Sequence, residues 1–269
     1  MIHDLKIFLG QPISSEPLVI FRFLFGLALC ISFVRKRKTL IDYFSQFDFH
    51  FKYTFFQWVK PLGKRGMSLT LDVLIITLAL FACGLFYHTT SLVAFGLFTY
   101  IFLIDKARYN NHYYLIALFL FLFNFIDASN ESKEVPYWHL LILQLQLLIA
   151  YTYAGINKIN AEWLIHAEPM HFMLKDFKGK TQWDGSPWHY CYNRSIEHSI
   201  QRQFQNKKVA VFFSWAGMLF DLLIIWLMLI PGLLPFVLPI FILFHLFNLW
   251  FFQIGIFPYF NFITIVLFL

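Results

Sequence analysis

The chain has 269 residues, 59% of them hydrophobic and only 13% charged, with 36 phenylalanines and a formal net charge of +6. Average soluble domains carry about 25% charged residues, so this composition excludes an ordinary cytosolic domain. Several apolar runs approach the roughly 20 residues that cross a bilayer as helix. The expected fold class is all-α: a multi-pass transmembrane bundle of about eight helices, with interfacial helices beside them. The positive charge is read as a membrane-orientation signal, with no nucleic-acid partner expected, because membrane proteins keep Lys and Arg in their loops. Cys30 and Cys83 lie in apolar runs and Cys191 in a polar one. No Cys-x-x-Cys occurs, so neither a disulfide framework nor a thiolate metal site is expected.

In chain order, residues 1–16 are polar and lack the pattern of a cleaved signal. The first helix is expected over Pro17–Val34, with Pro17 in its first turn. Arg22, one turn in, either snorkels to the headgroups or pairs with an acid from another helix, Asp221 being the first candidate. Arg35-Lys36-Arg37-Lys38 stops that span. Thr39–Gly66 is aromatic and basic, interrupted by Lys52 and Lys60, and is expected to form helices lying on the membrane. Helix two follows over Leu69–Tyr87 and helix three over Leu92–Ile104. After Asp105–Leu115 (DKARYNNHYYL), helix four ends near Asp127.

Pro136 opens helix five, whose apolar run leads to Lys158. Glu162–Lys208 is the one long polar stretch; it holds His166, His171, His189 and His198, with a short amphipathic helix expected near Ser195–Gln205. Helix six covers Val209–Ile230 with Asp221 inside it, and helix seven covers Leu234–Trp250. A last apolar run reaches Leu269, and a chain stopping inside such a run is expected to continue beyond it. Residues 1–269 read as a single transmembrane domain.

Span-building leaves three polar sites unexplained: Asn110-Asn111-His112, Lys158, and His245 with Asn248. The last two residues are i,i+3 and share a helical face. Helices three and five run in the same direction, and four starts where three ends. The three sites are therefore expected at one membrane face, around one cavity. An ammonium at the edge of a span snorkels, pairs or is kept neutral, and a neutral lysine can act as a base. Neutral histidines and asparagine amides can hydrogen-bond phenol oxygens or an oxyanion. Two other readings stay open. One is a bis-histidine membrane cytochrome with His112 and His245 as axial ligands. The other is a non-catalytic quinone-binding or transport-type protein in which these residues are merely packed. A diiron oxygenase would need several histidine boxes, and only His166/His171 comes close.

Six stretches in order carry a resemblance: Pro17–Gly26 (PLVIFRFLFG), Asp105–Leu115, Asp127–Ser129 (DAS), the YAGINKINAEWL segment ending at Leu164, Gly217–Leu222 (GMLFDL) and Phe244–Tyr259 (FHLFNLWFFQIGIFPY). On these the sequence resembles the vitamin K-dependent γ-glutamyl carboxylases and their bacterial relatives, the horizontally transferred transmembrane domain group. The resemblance implies a quinol epoxidase coupled to γ-carboxylation of protein glutamate. Its cofactor would be reduced vitamin K (menaquinol or phylloquinol), with oxygen and carbon dioxide as co-substrates and no metal. It implies that Lys158 is the base that deprotonates the quinol, with Asn111, His112 and His245 as further catalytic residues. Asn110, Tyr113, Tyr153 and Asn248 are expected to bind the quinol. The implied partners are membrane lipid, the quinol and a glutamate-containing protein or peptide.

The sequence departs from that family in two ways. Asn157 stands where the family has a first lysine and Asn160 where it has an acid, and no large soluble domain follows helix seven. Lys175–Lys208 is expected to substitute as a docking element. Sidedness is left open. Lys and Arg cluster in Arg35–Arg65, Lys106–Arg108 and Lys158–Lys208, which the positive-inside rule assigns to the cytoplasm. Resemblance to the animal enzymes instead places the catalytic face in the lumen. For a bacterial protein the location would be the cytoplasmic membrane.

Overall fold

The computed structural model describes residues 2–46, 49–175, 203, 206–251 and 256–269. Apart from Gln203, the amphipathic helix expected near Ser195–Gln205 lies outside the described residues, as do His189, Cys191, His198 and most of the expected docking element. The helices are α1 (Ile2–Leu9), α2 (Glu16–Gln46), α3 (Lys64–Cys83), α4 (Tyr87–Ile104), α5 (Asn111–Leu122) and α6 (Trp138–Asn157). They are followed by α7 (Ala161–Leu164), α8 (Glu168–Lys175), α9 (Lys207–Met228), α10 (Leu234–Phe251) and α11 (Phe257–Thr264). Two three-residue strands, β1 (Pro12–Ser14) and β2 (Glu134–Pro136), pair antiparallel with Ile13 opposite Val135. Six described helices are long and apolar enough to cross a membrane, and two shorter apolar ones, Asn111–Leu122 and Phe257–Phe268, accompany them. The chain is an all-α integral membrane protein.

Two compact units divide the chain: residues 1–146 with 259–267 and 269, and residues 147–258 with 268. In the first, α2 packs on α3, α3 on α4 and α4 on α5. Its core is phenylalanine-rich. Phe21, Phe25, Phe119, Phe123 and Phe260 are each no more than 2% exposed, with ring centroids 5.3–6.5 Å apart. In the second, α9 packs on α7, α8 and α10, and Ala167, Met170 and Ala210 form a small core beside Trp163.

Two expectations are corrected by side-chain chemistry. The basic run at 35–38 ends the apolar span but not the helix, and α2 continues to Gln46. Lys and Arg are good helix formers, and Arg37 forks onto both carboxylate oxygens of Asp72 in α3 at 2.6 Å, so nothing there breaks the backbone ladder. Residues 49–63, expected as interfacial helix, are turns and irregular chain folded over the end of α4. Lys52 Nζ donates to the carbonyls of Val59 and Ile104, and the Lys106 amide donates to the Phe51 carbonyl. These bonds satisfy helix-end groups that an interfacial helix could not reach.

Arg22 is corrected too. It is 1% exposed and donates to the carbonyls of Ala82 (3.3 Å) and Ala128 and to Asn130 Oδ1 (2.8 Å). It thereby caps α3 instead of meeting a carboxylate. Gly84 makes room for it, with φ at 74° closing the helix in the left-handed region. A Cβ there would lie 2.5 Å from Arg22 Nη1.

Candidate functional site

The second unit holds two polar pairs on α6. Tyr151, 5% exposed, sits mid-helix with its hydroxyl 2.8 Å from His245 Nε2, and His245 on α10 is itself 1% exposed. Lys158 follows the last residue of α6, and its ammonium pairs with the carboxylate of Asp221 on α9. Tyr151 and Lys158 are seven residues apart, two helical turns or about 10 Å along one face. Both Lys158 and Asp221 side chains are mostly covered, at 20% and 10% exposure. Desolvation therefore makes each costly without the other.

Local sequence explains why these groups meet. A Cβ at Gly155 would come within 2.8 Å of the Leu222 backbone nitrogen, so glycine lets α6 and α9 approach closely at the turn before Lys158. Asn160 then caps α7 by accepting from the Trp163 amide, which brings the Trp163 ring under Lys158 Nζ at 5.3 Å. Lys158 is thus held between a carboxylate and an indole face, both attractive to a cation. It neither snorkels freely nor stands alone.

Aromatic rings wall the Tyr151–His245 pair. Phe241 lies 4.5 Å from the imidazole by ring centroids, and Phe220 and Phe244 stack at 3.6 Å beside it. Asn248 is buried one turn beyond His245, as the i,i+3 spacing requires. Tyr153, the tyrosine expected to bind quinol, is 66% exposed, and its carbonyl accepts from Asn157 Nδ2. Two residues along a helix turn the side chain by about 200°, so Tyr151 and Tyr153 face opposite ways. The sequence reading did not single out Tyr151, the buried tyrosine of the two. The available signal was helical phase, since Tyr151 and not Tyr153 shares the face of Lys158. Asp221 was expected to meet Arg22 and instead meets Lys158.

The remaining candidates lie in the first unit. Asn110 is the N-cap of α5, its side chain accepting from the His112 amide at 2.8 Å. This is the ordinary use of an asparagine at a helix start. Asn111 is exposed in the first turn, and His112 and Tyr113 are half-buried. The Tyr113 hydroxyl accepts from Lys36 Nζ at 3.0 Å. Asp105, 2% exposed, anchors the start of this motif. It accepts from the Tyr43 hydroxyl (2.7 Å), the Phe51 amide (3.2 Å) and the Ala107 amide (2.9 Å), and it meets His50 Nδ1 at 3.1 Å. Burial opposes its ionisation, but the bonds from Tyr43, Ala107 and His50 outweigh burial and hold the carboxyl below its ordinary value. Among the described residues, no three His, Cys, Asp or Glu side chains are grouped as metal ligands would be.

Residues 10–269 match the HTTM domain. The chain belongs to the HTTM domain family. This domain occurs in vitamin K-dependent γ-glutamyl carboxylase and in other proteins too, so the match is consistent with the expected family without being specific to it. No solved structure matches this HTTM chain.

Proposed function

We propose that this HTTM protein is a membrane-embedded quinol epoxidase coupled to γ-carboxylation of glutamate. The observation that carries the reading is the Lys158–Asp221 pair two turns from the Tyr151–His245 pair on one face of α6. The bound quinol supplies the oxygen-activating chemistry, and its epoxide is the product that reports turnover. The donor set suits such a ligand. A hydroxyl, an imidazole and an amide can bond phenol oxygens, and phenylalanine faces can hold a flat apolar ring.

Lys158 and Asp221 act together as the base. An ammonium resting on a carboxylate already carries one proton, so deprotonating the quinol loads a second proton onto the pair. The cation that results stands beside the developing oxyanion and stabilises it. Tyr151 fixes the ring orientation of His245, so the imidazole and Asn248 would meet the quinol as oriented hydrogen-bonding groups. The aromatic walls exclude water and strengthen each of these interactions. Axial ligation of haem through His245 Nε2 would require the histidine to give up its bond to Tyr151.

The test is mass spectrometry of quinone products after incubating the purified protein in nanodiscs with reduced vitamin K, oxygen, bicarbonate and a glutamate-containing peptide. Epoxide is expected. Unchanged quinol, or a Soret band from bound haem, would sink the proposal.

A further inference from the structure

The first unit contains an open cleft that the proposed chemistry does not use. Phe33, Phe98, Ile101 and Phe102 form its apolar part, and Lys36 and Arg108 stand at its polar part beside Tyr113. Neither cation has a carboxylate partner among the described residues: Lys36 donates to the Tyr113 hydroxyl, and Arg108 lies over the Tyr43 ring at 4.5 Å. The carboxylate of Asp105 takes its hydrogen bonds from Tyr43, His50 and two amides, and neither Lys36 nor Arg108 is among those partners. Both cations also sit where membrane segments end. Arg108 follows the last residue of α4 by four positions, and Lys36 opens onto the basic continuation of α2.

An apolar slot closed by two unneutralised cations and a hydroxyl donor fits an amphiphile with one negative head. We infer that this cleft is a binding site for an anionic phospholipid. Its phosphodiester would lie between Lys36 and Arg108, and an acyl chain would run along Phe33, Phe98 and Ile101. A guanidinium and an ammonium recognise phosphate in complementary ways, the first through paired donors and the second as a point charge. A zwitterionic lipid gains the same apolar contact, but its ammonium meets two like charges.

The test uses the full chain in detergent, with native mass spectrometry during titration with dioleoyl phosphatidylglycerol or dioleoyl phosphatidylcholine. One phosphatidylglycerol is expected to be retained in preference to phosphatidylcholine. Its affinity should fall by at least about tenfold in Lys36→Gln/Arg108→Gln. Ile101→Trp, which fills the apolar part and keeps both charges, should weaken the same lipid. Arg108→Glu should remove or reverse the headgroup preference. Equal retention of the two lipids by the wild type, or unchanged phosphatidylglycerol binding in all three variants, overturns the site. Displacement of the lipid by millimolar glycerol phosphate alone would show a site for free phosphate and overturn it equally. So would a neutral quinone whose binding is lost in Ile101→Trp and untouched by the charge substitutions.

Discussion

Lys158, the first residue after α6, rests its ammonium on the carboxylate of Asp221, a residue buried in α9. Neither residue is isolated, so a deletion at either position changes both structure and chemistry. Lys158→Ala and Asp221→Asn should each lower epoxide formation by about 10²–10⁴, the range for losing a general base. Each should also destabilise the fold, because removing one partner of a buried pair costs about 3–5 kcal/mol. Lys158→Met/Asp221→Leu separates the two effects. Thermal stability should return in the double variant while activity does not, and recovered activity there would end the base assignment.

In the proposed mechanism the Tyr151–His245 bond orients a ring instead of supplying a proton. Tyr151→Phe keeps the packing against Phe220 and Phe241 and loses only the hydroxyl. Turnover should fall about tenfold, the scale of one net hydrogen bond. His245→Ala should cost about 10²–10³, as for an oxyanion-type donor. Steady-state kinetics on purified variants measure both. If Tyr151→Phe loses as much as His245→Ala, the hydroxyl itself meets the substrate.

Gly84 is required by Arg22. Alanine there must adopt a left-handed backbone and push its methyl into the guanidinium. Backbone strain alone is about 1–2 kcal/mol, and displacing a buried cation from its carbonyl acceptors adds to it. Gly84→Ala should therefore lower the melting temperature of the purified protein. Specific activity of the surviving fraction should stay near that of the wild type. A variant as stable as the parent would show that Arg22 has another resting place.

Membrane sidedness can be read from the two ends of α6. Lys133→Cys precedes this 20-residue helix and Glu162→Cys follows it, and both positions are exposed. In a background lacking Cys83 and Cys191, an impermeant thiol reagent on intact cells should reach only one of them. Labelling of both from one side would mean that α6 does not span. Outside labelling at Glu162 agrees with the orientation of the animal carboxylases. Outside labelling at Lys133 agrees with the positive-inside rule applied to the clusters at 35–65, 106–108 and 158–208.

The all-α membrane architecture was legible in the sequence because the bilayer sets a length and a hydropathy that few other environments demand. Each long apolar run became a helix, although the first ran on through its basic stop to Gln46. Lys158, His112 and His245 stood out for the same reason, as polar groups where hydrocarbon should be. Pairing was not legible. That Asp221 belongs to Lys158 and Arg22 to the end of α3 depends on Gly155 and Gly84, whose missing side chains permit the approaches. Tyr151 was legible only through helical phase, since composition treats it and Tyr153 alike. The irregular path of residues 49–63 escaped altogether, because hydrogen bonds to Asp105, Ile104 and Lys106 hold it. Local periodicity records which face of a helix is apolar. Only tertiary structure decides which partner a buried charge or carbonyl finds, because that choice depends on backbones approaching within hydrogen-bond reach.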